Sequence, residues 1–290
     1  MPSPALFGAA PNEAIGHAPE LRSKRDEVEQ VSEDELANAE RGPKPKPVAG
    51  DPLAARQWDM RMIGATPAGS YSTEQGKRAV KVGVIDTGVD GSHPDIAANF
   101  DADLSRNFTR DMEDIDGACA EEPDRSCDDP NDVDEYGHGT HVAGTIGSPL
   151  NGIGISGVAP RVKLINLRAA QDSGYFFLQA SVDALTYAGD NGIDVVNMSY
   201  YIDPWLYNCA TYGIDSAADK AEQATIIEGT QRALTYARDR GVTLVGSMGN
   251  GFTDKTKPVS DSSSPDYPPG SERPGRSTTR ASRCPTRARA

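Results

Sequence analysis

The chain has 290 residues and a net charge of -14, from 29 Lys+Arg against 43 Asp+Glu. That length holds one large α/β domain with an extension, or two small domains. The acidic surface argues against nucleic acid and anionic membrane as partners, because phosphate binding needs a basic face, and no stretch approaches the ~20 apolar residues of a membrane span.

Residues 1–50 are rich in Ala, Glu and Pro and end in Gly-Pro-Lys-Pro-Lys-Pro, a stiff extended linker. They read as a disordered extension or the remnant of a pro-region. Met1 is followed by neither a basic nor a sustained apolar stretch, so no signal peptide is visible.

From Asp51 the character changes. Apolar, strand-like runs occur at Val80–Ile85, Val162–Leu167, Asp194–Ser199 and Thr243–Met248. Helical stretches at Thr140–Ile146, Leu178–Asn191 and Ala221–Arg240 separate them. Continuous apolar strands alternating with helices predict an α/β fold, a mostly parallel doubly wound sheet covered on both faces. In such sheets the site lies beyond the C-terminal ends of the strands, and Asp86 and Asn250 fall there.

Four cysteines are present, and Cys119 and Cys127 lie eight apart in a polar, acidic insertion spanning Asp116 to Asp134. A disulfide between them would staple a surface loop and point to an oxidising compartment, hence secretion; the other reading is two free thiols. The wider acidic stretch from Asp111 to Glu135 is compatible with a structural Ca2+ ion held by carboxylates and carbonyls, or with a solvated loop. It has no EF-hand spacing. After Glu272 the tail has six arginines and no acidic residue. Residues 271–290 therefore read as an aberrant, frame-shifted or disordered end, outside a domain spanning 51–270.

The chemistry sits in two segments. Val80 to Gly88 is an apolar run that delivers Asp86 to a strand tip, and Gly137 to Thr145 opens a helix with His138 between two glycines. A serine hydroxyl is a poor nucleophile near neutral pH and needs a base, which in turn needs a carboxylate to hold its tautomer. Asp86 and His138 suit those two roles. An Asp-Thr-Gly segment also opens the catalytic loop of aspartic proteases, but that chemistry needs a second carboxylate motif, and none is present. His141, one turn on, reads as structural, as does His93 in a turn.

Ile85-Asp86-Thr87-Gly88-Val89 with His93-Pro94-Asp95, and His138-Gly139-Thr140-His141-Val142-Ala143-Gly144, resemble the aspartate and histidine motifs of the subtilisin-like serine proteases. Asn151-Gly152 through Gly157-Val158-Ala159-Pro160 is similar to the segment that follows. Asp194 to Ser199 resembles the substrate-binding strand, and Gly249-Asn250-Gly251 the oxyanion segment. The resemblance implies endopeptidase cleavage of a polypeptide substrate by a monomer that requires no cofactor. Asp86 would orient His138, His138 would act as general base and then acid, and Asn250 would stabilise the oxyanion, with Ser199 and Gly249 binding substrate. Calcium is common in that family.

The departures are specific. Asp86 and His138 are 52 residues apart against roughly 32 in the family, and the excess holds the cysteine pair. Tyr200-Tyr201 stands where the family has glycine, and Tyr201–Gln223 reads as an insertion. The family's serine follows the asparagine by roughly 66 residues, whereas 40 residues follow Asn250 here and no Gly-Thr-Ser-Met-Ala occurs. Ser247, inside the last strand-like run, is expected to be buried and not a nucleophile. The sequence therefore predicts a domain lacking its C-terminal third, or, from another class, a non-catalytic pseudoprotease or truncated product.

Overall fold

Alternate residues of β1 (Lys81–Ile85) enter opposite faces of one sheet, as the period of an extended chain requires. Val82 and Val84 join one apolar cluster and Ile85 joins another. β3 (Lys163–Arg168) divides in the same way, with Leu164 on the first side and Ile165 and Leu167 on the second. A strand buried on both faces gains from apolar residues at every position, which is why these runs are continuous and not alternating. The computed structural model describes residues 50–122, 125–202, 217–247 and 250.

β2 (Arg106–Asn107), β4 (Val195–Met198) and β5 (Thr243–Gly246) complete the sheet, in the order β2-β3-β1-β4-β5. Every pairing is parallel. Ala143 of α1 (His138–Gly147) packs into the first cluster. α2 (Leu178–Asp190) and α3 (Ala217–Asp239) contribute Ala184, Leu185, Ala233 and Ala237 to the second. Helices therefore cover both faces, as a doubly wound sheet requires. The predicted strands and helices are all present, with ends shifted by at most four residues.

The order of the strands selects the site. β2 and β3 lie on one side of β1 and β4 and β5 on the other, so connections diverge around β1 and open a crevice at its C-terminal end. Asp86 is the residue that follows β1 there. Among the described residues the first buried one is Asp51, whose carboxylate accepts hydrogen bonds from Gly152 N at 2.7 Å and Ser156 Oγ at 2.7 Å. The extension up to residue 49, most of the Tyr201–Gln223 insertion and the basic tail lie outside the described residues. Among the described residues, no helix is long and apolar enough to cross a membrane.

Cys119 and Cys127 form a disulfide, as the loop reading expected. The loop is not simply solvated. Asp111 and Asp129 are buried against Arg168, because the end of β3 carries a guanidinium to which the insertion folds back.

Candidate active site

Asp86 is fully buried, and its Oδ1 accepts two hydrogen bonds. One comes from Thr87 N at 2.8 Å and the other from His138 Nδ1 at 2.6 Å. A carboxylate fixed on a rigid strand tip thus selects the Nδ1–H tautomer, leaving Nε2 as the nitrogen able to take a proton. The hydrogen bond to Asp86 raises the His138 pKa above its ordinary value. Burial works against that rise, and the charges of Asp86 and Asp134 add to it. The imidazole stays 44% exposed, so its free side is open to a reactant.

Glycines allow this approach. Gly137 precedes α1 with φ +86°, a left-handed conformation that a side chain would strain. A Cβ on Gly139 would collide with the Gly88 carbonyl oxygen, so the helix start can press onto the loop after β1 only without one.

The first turn of α1 has backbone N–H groups that a glycine at its start cannot cap. Two side chains from outside the helix satisfy them. Thr87 Oγ1 accepts from Gly139 N at 2.9 Å, and Asp134 Oδ2 accepts from Thr140 N at 2.8 Å. Sequence reasoning placed Asp134 at the edge of an acidic loop and gave it no role. The available signal was an acidic residue one turn upstream of a helix that starts in glycine, a capping pattern displaced by three residues.

Of the other predicted site residues, Asn250 lies exposed, four residues after the end of β5 and past the same edge of the sheet as Asp86. Ser199 directly follows β4, and its Oγ accepts from Asn197 Nδ2 at 2.7 Å. Gly249 lies outside the described residues. The structure brings Asp86 and His138 into contact. Ser247 is half-buried, not buried as expected, because β5 ends at Gly246; its N–H still pairs with the Met198 carbonyl at 3.1 Å. His141 is exposed on α1 and does not pack, while His93 Nδ1 accepts from Asp95 N at 3.1 Å in its turn. Tyr200, at the position in place of glycine, is buried and stacks on Phe176 with ring centroids 4.1 Å apart. Its bulk fills the space beside the strand end.

The subtilase family model matches residues 77–268. Halolysin of Haloferax mediterranei is 33% identical over 191 residues, which cover 66% of this chain and 33% of halolysin. The solved structure of the epidermin leader peptide processing serine protease of Staphylococcus aureus superposes with a TM-score of 0.54 at 27% identity, covering 73% of this chain and 46% of that one. The nisin leader peptidase of Lactococcus lactis superposes with a TM-score of 0.54 at 25% identity, covering 72% and 53%. The chain spans about a third of the length of the curated relatives it matches. A parallel sheet with an aspartate and a histidine joined at its switch point, under a family model that covers most of the chain, makes this protein a member of the subtilase family.

Proposed function

We propose that the chain carries two members of a serine-type endopeptidase triad, with Asp86 as the orienting carboxylate and His138 as the general base and then acid. The carrying observation is the 2.6 Å contact between Asp86 Oδ1 and His138 Nδ1, across 52 residues of sequence. The substrate is a polypeptide, in line with relatives that act on leader peptides. Asn250 is the oxyanion donor in this reading, and Ser199 and Gly249 line the substrate cleft. The disulfide favours an oxidising, extracellular location. No Gly-Thr-Ser-Met-Ala segment occurs in the sequence, and in this reading the nucleophile is a serine that the 290 residues do not supply.

Hydrolysis of a quenched fluorogenic peptide tests this. The 290-residue chain should give no turnover above a His138→Ala control. A form extended through a Gly-Thr-Ser-Met-Ala segment should give turnover that His138→Ala lowers by about 10⁴-fold or more. Turnover indifferent to His138 would defeat the assignment. So would clear, His138-dependent turnover by the 290-residue chain defeat the missing-nucleophile argument.

A structural Ca2+ ion would sit between the acidic stretch and the segment after β3. One carboxylate oxygen from each of Asp111, Asp129 and Asp172 lies within 4.8 Å of the other two, and Asp111 Oδ2 is buried with no hydrogen-bond partner. Three carboxylates face one guanidinium, that of Arg168, so a hard divalent ion would balance the charge. Burial, then the charges of Asp129 and Asp172, push the Asp111 carboxyl up to about 7. A carboxyl raised on folding binds its proton more tightly in the native state. Its stabilising share is present at acid pH and lost as pH rises through about 7. In chelator, the melting temperature should therefore fall between pH 6 and pH 8, and millimolar Ca2+ should restore it at pH 8. A Tm at pH 8 that ignores Ca2+ would refute the ion.

A further inference from the structure

Asp134 closes a ring of hydrogen bonds around the Asp86–His138 pair. Its Oδ1 accepts from Thr87 Oγ1 at 2.9 Å and from Gly137 N at 2.8 Å. Its Oδ2 accepts from Thr140 N at 2.8 Å and from Thr140 Oγ1 at 2.6 Å. Thr87 follows Asp86 and Gly137 precedes His138, so a single oxygen ties together the two segments that carry the pair.

The direction of each proton is fixed. Thr87 Oγ1 already accepts from Gly139 N, and Thr140 Oγ1 already accepts from Asp90 N at 2.9 Å. Each hydroxyl thus keeps its own hydrogen for Asp134, an ionised carboxylate having none to give. All four partners are donors, and only an ionised carboxylate can accept from all four. An asparagine would turn an NH2 toward two of them. The ring then closes through Thr87 N, which donates to the same Asp86 oxygen that receives His138 Nδ1.

We infer that Asp134 is a positioning residue for the reactive histidine, setting the approach of His138 to Asp86 by holding the turn after one and the helix start beneath the other. It acts through Thr87 and the first turn of α1 and touches neither the imidazole nor a substrate. The inference rests on the reading of Asp86 and His138 as the reactive pair. Its test measures the histidine and not proteolysis, so absence of hydrolysis leaves it standing, and its own failure leaves the protease reading intact.

The test is NMR of the 290-residue chain, following the His138 ring protons against pH and the low-field Nδ1–H signal. Asp86 and Asp134 are the charges acting on His138, and both raise its midpoint. Asp134→Asn should lower that midpoint and let the Nδ1–H signal exchange away. Asp132→Asn removes an exposed charge two residues off, in the same loop, and should change neither. Should Asp134→Asn fail to fold, Thr140→Val keeps the charge while removing one bond of the ring, Thr140 Oγ1 to Asp134 Oδ2, together with the bond from Asp90 N, and it should still broaden the Nδ1–H signal. An unshifted midpoint in Asp134→Asn, an unbroadened signal in Thr140→Val, or an equal shift in Asp132→Asn would overturn the role, since lost stability alone moves none of these selectively.

Discussion

In an Asp86→Asn variant the His138 titration midpoint should drop, and hydrolysis by a serine-bearing form should fall by about 10⁴-fold. The amide keeps the size of the carboxylate but can turn an N–H toward Nδ1. The imidazole then loses the partner that fixes its tautomer and stabilises its cation. Asp86 heads the causes that raise the His138 pKa, so its removal carries the largest change. The stability difference follows in sign. A histidine raised on folding stabilises the native state below its ordinary value near 6.5, and the gain is lost as pH rises through the folded value. The wild type should therefore exceed the variant most at acid pH, by a margin that shrinks toward pH 8. The imidazole is 44% exposed, which keeps that margin small. NMR titration and melts at two pH values check both statements, and an unchanged midpoint would remove Asp86 from its role.

Arg168→Met should destabilise the protein by about 3–5 kcal/mol at pH 7.5. Arg168 is fully buried at the end of β3. Its guanidinium bonds Asp129 at 2.5 Å, Asp172 at 2.6 Å and Asp111 at 3.4 Å. Methionine fills similar space without charge and leaves three carboxylates facing each other, Asp111 and Asp129 buried and Asp172 half-buried. The loss should shrink at pH 5, where the Asp111 carboxyl, pushed up to about 7, can hold a proton. Urea melts at the two pH values measure this, and a loss below about 1 kcal/mol at pH 7.5 would show that the cluster is solvated. The insertion that lengthens the path from Asp86 to His138 is thus anchored on the strand beside β1, so the extra residues do not loosen the pair.

Much of the site was legible in order along the chain. The apolar run ending in Asp86, the glycine-flanked His138 and the alternation of strand and helix each follow from local rules of burial, capping and period. Those rules fix which residues reach a strand tip or a helix start. They are silent on Asp134 and on Arg168, because both are polar residues whose meaning lies in partners 47 and 39 positions away. Acidic residues in an insertion look alike in sequence, whether they cap a helix, bury a guanidinium or face water. Ser247 shows the reverse error, since a strand-like run extended past the point where pairing in β5 stops.

The sequence by itself determined the family pattern, the parallel sheet and the places of Asp86 at a strand tip and His138 at a helix start, because each is written in residues close together. Only the tertiary structure decided that β1 sits at the switch point, that one carboxylate ties its tip to the next helix, and that the acidic loop turns inward onto an arginine. Those outcomes depend on distant segments sharing a scarce supply of donors and acceptors in a place water cannot reach, and satisfying buried polar groups is a property of the folded whole.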